Sequence, residues 1–184
     1  MKKPVKVTQP QQECSAGIYL LYGDIDVDSM RECSNWILSE NISDNPPEVL
    51  NLVINSPGGS LNDAFALISI MNSSQIPIRT VGLGLVASAG LFIFMSGQKG
   101  LRTIDPNAEI MSHNFSAGST GSYLELQNMS KQYKKIDARI VAHYKKHTGL
   151  SEKDIREKLI TPLDVYLNAR EAVKLGLADE IGGL

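Results

Sequence analysis

The chain is poor in the features that mark several large classes of protein. It has only two cysteines, Cys14 and Cys33, in 184 residues. Two thiols make no disulfide framework, and their spacing fits no metal site. They read as reduced thiols in a reducing compartment. No apolar run is long enough to span a bilayer: the greasiest stretch, Leu83–Met95, is short and broken by glycine and serine, where about 20 residues are needed. Charge of neither sign dominates. Eighteen Lys and Arg stand against 20 Asp and Glu, a net charge of -2, which gives no bulk attraction to nucleic acid or to an anionic membrane. The early lysines have no apolar segment behind them, so no secretory leader is expected and the expected location is the cytoplasm. There is no internal repeat and no low-complexity tract.

What is present is the composition of a soluble globular domain, with 42% hydrophobic and 21% charged residues, in a chain long enough for one sizeable core. Residues 1–16 are polar, with two prolines and three glutamines. They read as a mobile N-terminal arm, or as a segment ordered only by neighbours. Residues 17–184 form the expected domain, and strand and helix signals alternate along it. Ile18–Tyr22 is a short apolar strand. Ser29–Ser39 has a helical stripe of Met30, Cys33, Trp36 and Ile37. Val49–Ile54 is a buried strand leading into Asn55-Ser-Pro-Gly-Gly59, which is expected to turn the backbone sharply. A helix follows at about Leu61–Asn72, then a strand at Ile78–Leu83, then a small-residue turn, Gly84–Gly90, that opens a helix running to about Met95. Short strands are expected near Leu101–Ile104 and Ala108–Ser112.

Ser122-Tyr-Leu-Glu125 fits a capping box, in which serine and glutamate satisfy each other's orphan amides. It opens a long amphipathic helix to about His147, with Leu126, Met129, Tyr133, Ile136 and Ile140 in its stripe. Such a helix reaches about 40 Å, too far to lie wholly on a domain of this size, so part of it is expected to project. Ser151 and Asn168 cap two further helices, and Ala178–Ile181 is a last strand. The alternation predicts an α/β domain. In such folds the crevice beyond the carboxyl ends of the strands carries the chemistry, and both glycine-rich turns, 55–59 and 84–90, fall there.

Ser88 lies in Gly84-Leu-Val-Ala-Ser-Ala-Gly90. A serine hydroxyl is a weak nucleophile unless a base takes its proton. A tight strand-to-helix turn would expose it and aim the amides of the next helix at any oxyanion formed there. Taken alone, the turn fits a plain helix cap better. Gly58-Gly59 lets a backbone approach closely and could offer an amide, or could be a capping turn. His113 sits at a strand end among apolar and small residues and is the better base. His143 and His147 stand four apart on the long helix, but no glutamate follows the first and lysines flank the second. They read as a solvated face, and no metal is expected. Asp164 lies between apolar neighbours, where a carboxylate is seldom placed unpaired. It fits either an orienting carboxylate or a turn aspartate before the Asn168 helix.

Together, Val53-Ile-Asn-Ser-Pro-Gly-Gly59, Ala87-Ser-Ala-Gly90, Met111-Ser-His113, His147-Thr-Gly149 and Asp164 with Leu167-Asn-Ala-Arg-Glu-Ala-Val-Lys-Leu-Gly-Leu-Ala-Asp179 resemble the proteolytic subunit of the Clp protease. The likeness runs over roughly Gly17–Gly182, and the order and separations of the pieces match jointly. The resemblance implies a crotonase-like β/α spiral with a projecting handle helix. It implies Ser88 as nucleophile, His113 as general base and Asp164 as orienting carboxylate, with an oxyanion hole from the amides of Gly59 and Ala89 and no cofactor. It also implies self-association into two stacked seven-membered rings, an AAA+ unfoldase as partner, and unfolded polypeptide as substrate.

Three departures mark a divergent member. Ala89 stands where the family usually has methionine. Leu163, after Pro162, replaces a basic residue that links the aspartate to the opposite ring. Asn114-Phe115 replaces the usual Gln-Pro. The rival readings are a catalytically silent ring paralogue, a crotonase-type acyl-CoA enzyme, and a Ser/Lys signal-peptide peptidase. The full Ser/His/Asp set argues against the first two, and the absence of a membrane segment argues against the third.

Overall fold

The computed structural model describes residues 17–184, so the reading of 1–16 as an arm falls outside the described residues. The elements run β1 (Ile18–Ile25), α1 (Val27–Asn41), β2 (Leu50–Gly59), α2 (Leu61–Ser73), β3 (Ile78–Ala87), α3 (Ala89–Met95), β4 (Arg102–Ile104), β5 (Glu109–Ser112), α4 (Tyr123–Thr148), α5 (Glu152–Lys158), β6 (Val165–Asn168), α6 (Ala169–Lys174) and β7 (Glu180–Ile181). The predicted α/β alternation is present, in one seven-stranded sheet of order β1-β2-β3-β4-β7, with β5 joined to β3 and β6 joined to β5. Every pairing is parallel except β5–β6.

Local chemistry accounts for the element boundaries. Asp26 caps α1 with a reciprocal box to Ser29, which starts that helix two residues before the periodicity suggests. The expected boxes at Ser122–Glu125 and Asn168–Glu171 are formed, and the Ser151 side chain accepts from the Asp154 amide. Each such cap satisfies amides that have no partner inside the helix and so fixes where the helix begins. Gly149, in the left-handed region at φ 76°, ends α4.

Two expectations fail at the glycine-rich segments, for one reason. Residues 55–59 do not turn away from the sheet. β2 continues through them to Gly59, pairing Gly58 with Asp24 and Gly59 with Ile25 after a register shift. Likewise β3 does not stop at Leu83 but runs on to Ala87. Gly84, at φ 57°, lets it bend from β4, which it pairs over Thr80–Gly82, onto β5, which it pairs over Leu85–Ala87. The Asn55 side chain fills the gap, its Oδ1 accepting from the Leu85 amide at 3.1 Å. Glycine here permits a bulge and a change of partner rather than a turn.

α1, α2 and α3 pack on one another and on β1–β3, burying Ile37, Leu50, Leu52, Ile54, Leu67, Leu91 and Ile93 completely. Each such side chain contributes about 1.5–3 kcal/mol by leaving water. Arg102 is also buried. Its Nε and Nη2 donate to Asp179 at 2.8 and 2.6 Å, and its Nη1 donates to the His147 carbonyl. That arrangement ties β4 to the end of α4 and to the segment before β7. α4 has 26 residues, and its buried residues are confined to Ile140, Val141, His143 and Tyr144. Tyr123, Leu124, Leu126 and Met129, in its first half, are exposed.

The solvated-face reading of the two α4 histidines is overturned. His143 is buried against Phe65 and Phe92, with Nε2 3.1 Å from the Phe92 carbonyl. Burial first, and His147 second, push its imidazole from the ordinary 6.5 down to about 3. His147, half-buried, is pushed down to about 4 by burial and then by Lys146. Flanking lysines suggest a wet helix face, but α4 lays this stretch on α3. Among the described residues no group of three His, Cys, Asp or Glu could hold a metal ion, and no helix is long and apolar enough to cross a membrane.

Candidate active site

The change of partner in β3 decides where Ser88 stands. The strand ends at Ala87, and Ser88 takes φ 51° and ψ -120°. It is the only non-glycine residue with positive φ among the described residues. Such a conformation costs on the order of 1–3 kcal/mol and persists only where the surroundings impose it. They do so here. The Ser88 amide donates to the Met111 carbonyl at 3.0 Å, and Ala87, Ala89 and Gly90 on either side are buried. The side chain makes no cap bond to α3, so the helix-cap alternative for Ser88 does not describe it. Its Oγ lies 2.7 Å from His113 Nε2 instead.

Gly58 and Gly59 bring the end of β2 against this elbow. A Cβ on Gly58, at φ 100°, would meet the Ala87 carbonyl at 2.9 Å and the Ala89 amide at 3.0 Å. Gly59, at φ 146°, has no room for a side chain either, because the Ile25 carbonyl would lie 2.3 Å from its Cβ. The Gly58 amide is engaged by Ser56 Oγ at 3.1 Å. Ala89 is the first residue of α3, where amides have no acceptor within the helix. Gly59 and Ala89, on two elements, line one cleft with the serine.

His113 and Asp164 arrive through the one antiparallel pairing of the sheet. Its last matched residues are Ser112 and Val165. In an antiparallel ladder the residue after one partner faces the residue before the other, so His113 and Asp164 meet just beyond the end. His113 Nδ1 and Asp164 Oδ1 are 3.7 Å apart, an ion-pair distance longer than a hydrogen bond, and the carboxylate is half exposed. Donation from Ser88 to Nε2 requires the tautomer with the imidazole proton on Nδ1, the nitrogen that faces Asp164. The three side chains singled out in the sequence therefore come together at one crevice, at the carboxyl ends of β3 and β5 and the amino end of antiparallel β6.

A cleft of about 470 Å³ opens beside Ser88. Its lining includes Gly59, Ala89 and His113, with an apolar side formed by Leu61, Phe115 and Ile136. These apolar residues were not legible as a site. Leu61 read only as the start of a helix and Ile136 as a member of a helical stripe, and Phe115 sits in an irregular segment with no period to place it. A larger cavity of about 680 Å³ lies where α2, α3 and α4 end, lined by Lys99, Lys146 and His147 among others. Ser88, His113 and Asp164 are absent from its lining.

Comparison with known proteins gives the family. The Clp protease family profile matches residues 10–183. The ATP-dependent Clp protease proteolytic subunit of Deinococcus radiodurans is 34% identical over 141 residues, which are 76% of this chain and 67% of that protein. The ATP-dependent Clp protease proteolytic subunit 2 of Nocardia farcinica is 34% identical over 164 residues, 89% of this chain and 79% of that protein. A parallel α/β sheet with a serine–histidine contact at its strand ends fits a protease of the serine type. The chain belongs to the Clp protease family.

Proposed function

We propose that this chain is a serine endopeptidase subunit that hydrolyses peptide bonds of unfolded polypeptide by an acyl-enzyme route. Ser88 Oγ attacks the scissile carbonyl while His113 Nε2 takes its proton. The tetrahedral oxyanion sits between the amides of Gly59 and Ala89, each such donor contributing about 3 kcal/mol to the barrier reduction. His113 then protonates the leaving amine, and Asp164 stabilises the imidazolium and holds its tautomer. A water activated by the same imidazole releases the acyl group. The observation that carries this reading is the 2.7 Å contact of Ser88 Oγ with His113 Nε2 at the one positive-φ serine among the described residues.

The assembly belongs to the same proposal: self-associated rings, two stacked heptamers, working in the cytoplasm with an AAA+ unfoldase. The relatives' description as ATP-dependent supports the ATPase partner, and the exposed apolar residues of the first half of α4 support self-association. Purified chain should cleave a small fluorogenic peptide, and Ser88→Ala should abolish that turnover. Undiminished turnover in the variant refutes the assignment. One observation favours a second reading, a catalytically silent ring component: the 3.7 Å separation of His113 from a half-exposed Asp164. Catalytic contacts are often long before substrate binds. A chain that assembles by native mass measurement yet cleaves nothing would establish the silent reading.

A further inference from the structure

We propose that Tyr144 and Ser112 are positioning residues that hold the segment bearing Asp164 against His113; this rests on the peptidase reading above. Ser112 Oγ lies 2.6 Å from the Leu159 carbonyl and 2.7 Å from the Tyr144 hydroxyl. Ser112 and Leu159 are completely buried, and Tyr144 is 1% exposed. A carbonyl can only accept, so the single proton of Ser112 goes to Leu159. Tyr144 must then donate to Ser112. The result is a one-way chain, Tyr144 O–H to Ser112 O–H to Leu159 C=O, joining α4, β5 and the end of α5 out of contact with water. Burial pushes the Tyr144 phenol up to about 12 against the opposing bond from Ser112, so it stays a donor at any working pH.

The chain closes on the residues that matter. Leu159 caps the C-terminus of α5, where carbonyls lack helical donors, and Ser112 supplies the missing donor. From Leu159 the backbone runs through Thr161, whose Oγ1 donates to the Leu163 carbonyl at 2.5 Å, to Asp164 and then to Val165. Val165 is the register partner of Ser112. The loop carrying Asp164 therefore leaves from one contact with Ser112 and returns to another, while His113 is the next residue along from Ser112. Asp164 itself is half exposed and at 3.7 Å from the imidazole, so its position depends on how that loop is anchored. Removing the Ser112 hydroxyl releases the Leu159 end of the loop, whereas removing the Tyr144 hydroxyl leaves that bond in place but takes away the donor that directs the Ser112 proton to Leu159. Neither Tyr144 nor Ser112 lines the cleft, so substrate binding should be untouched.

The test uses the full chain, with Tyr144→Phe, Ser112→Ala, Ser112→Val and Ser112→Thr. Each variant is assayed with a fluorogenic peptide and with a fluorophosphonate, and its thermal midpoint is recorded. Ser112→Val should lower kcat roughly tenfold or more with KM unchanged, well short of the ~10⁴-fold known for disabling a triad carboxylate, and Tyr144→Phe, which keeps the Ser112–Leu159 bond, should lower kcat by a smaller factor, also with KM unchanged. Ser112→Thr, which matches valine in shape but keeps a hydroxyl, should restore most of the rate. The Tyr144→Phe/Ser112→Ala double variant should fall no further than Ser112→Ala, because both act through one chain. Variants that turn over like the parent overturn the positioning role and leave the peptidase reading standing. So does a Thr variant as poor as the Val variant, or a loss that appears in KM or only in step with the thermal midpoint. A parent chain that neither cleaves nor labels removes the peptidase reading and this role together.

Discussion

A Cβ placed on Gly58 would lie 2.6 Å from the Cβ of Ser88. The last turn of β2 is thus in full contact with the serine elbow, and no side chain fits between them. Gly58→Ala meets both that clash and a left-handed backbone at φ 100°. It should destabilise the chain by more than ~2 kcal/mol. It should also remove fluorophosphonate reactivity under conditions where the variant is still folded. Denaturant unfolding read alongside labelling checks both; a stable, fully reactive variant means the two backbones are not in contact.

Ser88 occupies a strained conformation that the proposed reactivity explains and stability does not. Replacing it by Gly relieves the strain, while replacing it by Ala keeps it. Ser88→Gly should therefore be more stable than Ser88→Ala by about 1 kcal/mol, both being inactive. Chemical denaturation of the two variants side by side gives the difference. The opposite order would mean that the elbow is unstrained.

His143 makes the fold acid-sensitive. Its imidazole stays neutral in the folded chain down to about pH 3, against an ordinary value of 6.5. Below pH 6.5 the unfolded chain takes a proton that the folded chain refuses, so stability is lost as pH falls from about 6.5 towards 3. Within that window His143 contributes a slope of up to about 1.4 kcal/mol per pH unit. His147, pushed down to about 4, adds in the same direction over the upper part of the window, reduced by its partial exposure. Thermal midpoints of the parent and of His143→Gln between pH 7 and 4 test this: the variant should show the shallower decline, and parallel declines would contradict it.

The buried Arg102–Asp179 pair should behave differently from the surface pairs. Asp179 accepts from two backbone amides as well as from the guanidinium. Burial is the largest single influence on its carboxyl and disfavours the charge, but Arg102, Lys99 and the Arg102 amide together outweigh it and hold the carboxyl well below the usual range. Asp179→Asn leaves a guanidinium uncompensated in the core and should cost about 3–5 kcal/mol. Asp28→Asn, which breaks the exposed pair with Arg31, should cost less than about 1 kcal/mol. Denaturant midpoints of the two variants report the contrast, and equal losses would mean that the core pair carries no special weight.

Much of this was legible in the sequence because it was written in local chemistry. The caps at Ser122, Ser151 and Asn168 are short-range signals, and the helix stripes follow from period 3.6. Of the three site candidates only His113 stood out from its surroundings; Ser88 alone fitted a helix cap better and Asp164 fitted a turn aspartate equally, and it was the resemblance that joined them. What was missed depends on contacts between distant segments. Nothing in Asn55–Gly59 says that β1 will continue to pair with it. Nothing in Gly84 says that β3 will exchange β4 for β5. His143 looked wet because Lys145 and Lys146 follow it, and only the packing of α4 on Phe65 and Phe92 shows otherwise. Ser112 was read as a strand residue, since its two hydroxyl partners lie 32 and 47 residues further along the chain.

The most direct test of the central claim is mass spectrometry of the chain after treatment with a fluorophosphonate, with the adduct mapped to its residue and the rate compared with that of His113→Ala. The expected result is one adduct per chain, on Ser88, formed far more slowly in the variant. No adduct, an adduct on another serine, or an equal rate without the imidazole would contradict a hydroxyl activated by His113.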